Sequence, residues 1–146
     1  MEQSSNNTGE LPTWQFKMSD ILLLLLDANN HTPIASKKKL FRALKYFQDK
    51  LYSSFQNPPL IEGKLYEFTM GDFGYWSIDV INDIEMFASL KIISVGKLER
   101  RNLTQNTFYI TGIGQKLLRE KIYPRLTKVQ ILILSQLKDL ALSNSI

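Results

Sequence analysis

The stretch Gly71-Asp-Phe-Gly-Tyr-Trp-Ser77, then Ile78 to Leu90, Lys91-Ile-Ile-Ser-Val95, Thr107-Phe-Tyr-Ile110 and Thr111-Gly-Ile-Gly-Gln-Lys-Leu-Leu118 decides how this chain folds. Ser77 can start a helix by accepting a backbone N–H on its hydroxyl, and Ile81, Ile84 and Ala88, with Val80 and Phe87, supply a buried side at helical spacing. β-Rich residues predict a strand over 91–95. The charged stretch 96–106 reads as a hairpin loop, 107–110 as the returning strand, and Thr111 as the cap of another helix through about Lys121. The order is helix, strand, basic tip, strand, helix.

Working upstream, Ser19 as N-cap with Asp20 in the first turn predicts a helix over 19–28. Its five consecutive leucines make it apolar nearly all round, so it must be enclosed. Asn29-Asn30-His31-Thr32-Pro33 is turn chemistry. Ser36 caps a second helix to about Tyr52, with Leu40, Leu44, Phe47 and Leu51 on one face. Pro58-Pro59 ends that region, and the alternation in Leu65-Tyr-Glu-Phe68 predicts a short strand. Downstream, Pro124 separates the fourth helix from a last one over about 125–142. Residues 1–17 read as a tail with almost nothing to bury. Residues 18–123 form one domain, and 124–146 its C-terminal helix.

With 146 residues, 44% hydrophobic and 22% charged, the chain has the size and composition of one ordinary globular domain. It has no cysteine, which excludes disulfides, thiolate metal sites and thiol nucleophiles, and predicts a cytoplasmic location. The apolar runs Ile21 to Leu26 and Val129 to Leu134 are too short to span a bilayer. The polar start does not resemble a signal peptide. His31 is the only histidine and sits in a turn. The pairs Gly71/Gly74 and Gly112/Gly114 match no phosphate-loop pattern. No catalytic residue, metal site, cofactor or small-molecule substrate is expected.

Charge is distributed unevenly around a net +4: residues 31–50 carry a local +5, 91–128 a local +7 and 62–90 a local −5. Separate basic surfaces suit a polyanion. At the hairpin tip, Lys97, Arg100, Arg101 and Asn102 can meet phosphates or a narrow minor groove. Lys37, Lys38 and Lys39, with Arg42, crowd the start of the second helix. Backbone N–H groups and the helix dipole already favour an anion there. Ser77 and Asn82 belong to the third helix, whose exposed face also carries Asp79, Asp83, Glu85 and Ser89. Those carboxylates oppose entry into a groove. The aromatics Phe68, Phe73, Tyr75 and Trp76 read as packing at a strand–helix junction. On the last helix, Leu126, Val129, Ile133, Leu137 and Leu140 fall near heptad spacing and predict a homodimer.

These residues carry a resemblance. Asp20-Ile-Leu-Leu-Leu-Leu-Leu-Asp-Ala-Asn29, Pro33-Ile34, Lys39-Leu40 and Lys45 to Phe47 are similar to the opening of small prokaryotic, often archaeal, winged-helix proteins. Tyr75-Trp-Ser77, Asp83-Ile84-Glu85, Leu90 and Ile92-Ile93 resemble the same family's middle segment. Tyr109-Ile110-Thr111 with Gly114 resembles its Tyr-x-Leu-Thr-x-x-Gly, a motif shared with PadR- and MarR-like regulators. Phe73-Gly74 stands in place of the family's Gly-Pro, and Gly112 interrupts the later motif. The similarity covers about residues 19–120.

The resemblance implies an α+β, mostly helical winged helix-turn-helix, to which the apolar last helix adds a C-terminal dimerisation helix. Together with the basic surfaces these features predict a nucleoid-associated transcriptional regulator that binds double-stranded DNA as a homodimer. A competing expectation is a winged-helix protein-interaction module, adaptor or antitoxin-like, that binds no DNA.

Overall fold

The computed structural model describes residues 15–56, 61–72, 74–100 and 103–146. The tail through residue 14, the Pro58-Pro59 break, Phe73, Arg101 and Asn102 lie outside the described residues.

The elements are α1 (Met18–His31), β1 (Ile34–Ala35), α2 (Lys37–Tyr46), β2 (Thr69–Gly71) and β3 (Gly74–Trp76). They continue with α3 (Ile78–Ser89), β4 (Ile93–Arg100), β5 (Leu103–Ile110), α4 (Gly112–Leu117) and α5 (Lys128–Leu142). The molecule is α+β and mostly helical, with two small antiparallel sheets among the described residues.

α1 is the centre of the core. Ile21 to Leu26 are all at most 1% exposed, as an all-round apolar helix requires. Each such leucine contributes roughly 1.5–3 kcal/mol by leaving water. The helix starts before Ser19: Lys17 is the N-cap, and its N–H donates to the Asp20 carboxylate at 2.9 Å. Phe16, read from sequence as tail, is fully buried. Its carbonyl accepts from the Glu62 N–H at 2.6 Å, so the chain is already packed two residues before the first helix.

α1 is unwound at its end. Asn29, Asn30 and His31 all have positive φ, which asparagine tolerates better than most residues. β1 follows, then α2, whose Ser36 Oγ accepts from the Lys39 N–H at 3.3 Å. Leu40, Leu44 and Phe47 are buried as expected. α2 continues through a wider π turn, Phe47–Leu51, and a 3-10 turn, Tyr52–Phe55. Phe47 and Phe55 meet edge-on at 5.0 Å.

The strand expected over 65–68 is not formed. The Gln48 side chain instead pairs with the Tyr66 backbone, accepting from its N–H at 2.7 Å and donating to its carbonyl at 3.0 Å. A single side chain thus replaces a neighbouring strand, and the ladder begins later, pairing Thr69 with Trp76 and Gly71 with Gly74.

The larger sheet has the order β1-β5-β4. Ile34 faces Phe108 and Ala35 faces Thr107; β4 and β5 pair from Ile93–Ile110 out to Arg100–Leu103. The eleven-residue loop expected over 96–106 is therefore mostly ladder. Backbone N–H and C=O groups make the ladder, so polar residue types do not prevent it.

Thr111 caps α4, accepting from the Gly114 N–H at 3.1 Å. α5 begins at Lys128, not Arg125, because Thr127 and Gln130 form a reciprocal capping box. It packs on α1 and α2 with Leu134, Leu137 and Ala141 buried. Among the described residues, no helix is long and apolar enough to cross a membrane.

Candidate nucleic-acid interface

α2 and the β4–β5 hairpin are joined at one point. The Ser36 N–H donates to the Asn106 carbonyl at 2.7 Å, and Asn106 stands opposite Lys97 in the ladder. The helix that begins with three lysines therefore starts beside the strand pair that carries Lys97. Lys37, Lys38 and Lys97 are exposed, and among the described residues none has a carboxylate within ion-pairing distance.

The other two basic residues of the α2 cluster are turned elsewhere. Lys39 is half-buried, with its Nζ 3.5 Å from the Leu142 carbonyl, a long contact. The Arg42 guanidinium donates to Asn144 Oδ1 at 2.8 Å. Both reach the C-terminal end of α5, where carbonyls and the helix dipole favour cations. Arg100 lies on β4 as expected for the hairpin, while Arg101 and Asn102 fall outside the described residues.

α3 differs from its sequence reading. Ser77 is buried, and its hydroxyl accepts from the Val80 N–H at 3.3 Å, so it is a helix cap and not a contact residue. Two of the three carboxylates are used inside the chain. Asp79 accepts from the Glu67 N–H at 2.8 Å, and Asp83 accepts from the Tyr66 hydroxyl at 2.6 Å. Burial raises the pKa of both Tyr66 and Asp83. The exposed side of α3 is instead Ile78, Asn82, Glu85, Met86 and Ser89.

The aromatic residues divide in the same way. Tyr66, Phe68 and Tyr75 form an edge-to-face chain with ring centres 6.4 and 6.3 Å apart, and Lys45 lies 5.3 Å over the Tyr75 ring. Trp76 departs from the packing role and is 46% exposed.

On α5 the heptad reading splits. Leu137 is buried in the chain's own core, and Leu126 and Ile133 are half-buried against it, because this stripe covers α1 and α2. Val129 and Leu140 remain exposed, joined by Leu132. Spacing reveals an apolar stripe but not which partner covers it.

A second polar cluster has no counterpart in the sequence reading. Lys138 is fully buried and donates to the carbonyls of Leu26 at 3.0 Å and Ala28 at 2.8 Å. These carbonyls lie where α1 unwinds. Asp27 accepts from the Tyr123 hydroxyl and lies 2.5 Å from His31 Nδ1. The Asn29 amide donates to Asp139 Oδ1 at 2.7 Å and accepts from the Ser135 hydroxyl at 2.5 Å. Burial pushes the Lys138 ammonium down to about 8 and raises the Tyr123 hydroxyl. The only available signal was a lysine at a position that α5 periodicity assigns to the inner side.

Comparison with protein-family models, curated proteins and solved structures gave no match for this chain.

Proposed function

We propose that this chain is a winged-helix protein that binds double-stranded DNA mainly through its phosphates, and that it acts as a dimeric transcriptional regulator. The connectivity supports the fold: helix, short strand, helix, a small inserted hairpin, helix, then a hairpin whose second strand pairs with the short first one. The carrying observation is the Ser36–Asn106 hydrogen bond, which ties the lysine-headed α2 to the hairpin bearing Lys97. Cations on neighbouring elements can neutralise successive phosphates, and counterion release then drives binding.

Base reading by α3 is a minor part of this proposal. A helix-turn-helix usually joins its helices by three or four residues, whereas here residues 56–77 separate the helical turns after α2 from α3. In this reading Lys37, Lys38 and Lys97 carry the backbone contacts. Asn82 lies at the groove edge. Val129, Leu132 and Leu140 form the dimer contact, and the protein works in the cytoplasm on the nucleoid.

Fluorescence titration of labelled random duplex at two salt concentrations tests the proposal. Affinity should fall steeply at the higher concentration; absence of binding at both rejects it.

One observation favours a protein-interaction module instead. Ile78 and Met86 on α3, with neighbouring Leu90, are each about half exposed, giving that element apolar surface a protein partner could cover.

A further inference from the structure

α2 also flanks a groove whose aromatic side the duplex proposal leaves unused. It lies between the start of α2 and the β2–β3 hairpin, and encloses about 380 Å3. That is within the usual range of roughly 300–1,000 Å3 for small-ligand sites. Phe41 contributes to the apolar lining, Trp76 is 46% exposed, and Lys37 and Lys38 supply exposed cations. Gly74 holds φ at +112°, and the Lys38 side chain passes 3.7 Å from where a Cβ would stand. Gly74 therefore presents bare backbone to the aliphatic stem of Lys38. Among the described residues Asp72 is the one carboxylate on this groove, and it sits on an exposed turn where water screens it.

A second groove of about 230 Å3 adjoins the first through Tyr75, which lines both. Arg42, Lys45 and Lys50 contribute to its lining. Its Asp49 is engaged by Lys45 at 2.6 Å. Two grooves in series, sharing an aromatic ring, with exposed Lys37 and Lys38 on the first and exposed Lys50 on the second, match what an unpaired strand needs. Planar bases require apolar faces, and the linking phosphates require positive charge at intervals. A free nucleotide would occupy one groove and leave the other empty.

We infer that the α2–hairpin groove binds single-stranded nucleic acid, with an unstacked base against Trp76 and the adjoining phosphates on Lys37 and Lys38. This rests on the proposal that the chain binds nucleic acid, and adds a strand class that the duplex surface does not require.

The chain has two tryptophans, so a full-length Trp14→Phe variant leaves Trp76 as its only indole. Its emission is followed during titration with an oligothymidylate of about 12 nucleotides, a span suited to one small binding surface. The same titration is repeated with a closed hairpin duplex, with thymidine monophosphate and with polyglutamate. The oligothymidylate is expected to quench Trp76, and the other three to quench it little at the same phosphate or carboxylate concentration. In the otherwise unchanged chain, Trp76→Ala should weaken oligothymidylate binding about tenfold, as removal of one stacking ring typically does, and leave duplex affinity unchanged. Trp76→Phe should retain most of the affinity. Trp76 is half-exposed, so circular dichroism of both variants should match that of the parent.

Duplex binding without any oligothymidylate quenching overturns this inference and leaves the duplex proposal standing. Failure of both nucleic acids to bind overturns both. Equal quenching by polyglutamate reassigns the groove to an acidic peptide, and equal quenching by the monophosphate reassigns it to a free nucleotide; either result overturns the inference.

Discussion

Lys138 donates from its fully buried ammonium to the Ala28 carbonyl at 2.8 Å, fastening α5 to the unwound end of α1. The same Nζ satisfies Leu26, so one cation serves two carbonyls that α1 can no longer pair. The arrangement has a pH signature. Burial lowers this lysine from 10.5 to about 8, so the unfolded chain holds the proton more tightly than the folded one between those values. Stability should therefore rise with pH from about 8 towards 10, by at most roughly 3 kcal/mol. Tyr66 and Tyr123 act in the opposite sense. Both are raised from 10.0, so above about pH 10 the unfolded chain loses those protons first and stability falls. Urea denaturation across pH 7–11 should show a maximum near 10. In Lys138→Met the rising limb should vanish while the fall above 10 persists.

Two glycines in one helical turn should respond in opposite ways. A Cβ on Gly114 would stand 2.6 Å from the Ile92 carbonyl oxygen and 2.7 Å from Ile110 Cγ1, where the start of α4 is wedged against the sheet. Gly114→Ala should cost about 1–3 kcal/mol, as forced overpacking does. Among the described residues nothing lies within 4 Å of the Gly112 Cβ position. Gly112→Ala should stabilise the fold by about 0.4–1 kcal/mol by restricting the unfolded chain. Thermal melts of the two variants should move in opposite directions.

The carboxylates of α3 can be separated by function. Asp79 serves the Glu67 N–H, whereas Glu85 is exposed on the outer side. Asp79→Ala should lose about 1 kcal/mol of stability and leave duplex affinity unchanged. Glu85→Gln should leave stability unchanged and tighten duplex binding about twofold, by removing a like charge facing phosphate. Paired melting and DNA titration read both effects. Tighter binding by Asp79→Ala would mean that this carboxylate faces the DNA.

On α5, Leu132 is 55% exposed and Leu137 only 1%. Leu132→Glu should give a folded monomer by light scattering, because it places a charge in the proposed dimer contact and not in the core. Leu137→Ala should instead cost about 2–5 kcal/mol through loss of burial and a residual cavity. A full-length protein already monomeric at working concentration would remove the dimer from the proposal.

The capped helix starts were legible in the sequence. Ser36, Ser77 and Thr111 each accept from a backbone N–H three residues on, because a short hydroxyl before an apolar run has few better uses. The enclosure of Ile21 to Leu26 was legible for the same local reason. Long-range pairings were not. Gln48 substituting for a strand beside Tyr66, Asp79 and Asp83 turning to residues 66–67, and Lys138 reaching α1 each join residues far apart in the chain. Composition at either end does not record such a pairing. The α2 lysines were legible as a cluster. Their division into Lys37 and Lys38 facing water, and Lys39 and Arg42 facing α5, depends on how the last helix docks.

The most direct test of the central claim is the slope of log affinity against log salt for duplex binding. It should be measured on the parent chain and on Lys37→Ala, Lys38→Ala and Lys97→Ala, singly and together. If the α2 start and the β4–β5 hairpin form one phosphate-binding surface, each substitution lowers the slope by about 1, and the triple variant by about 3. A parent slope near zero, or a triple variant whose slope equals the parent's, would contradict the account.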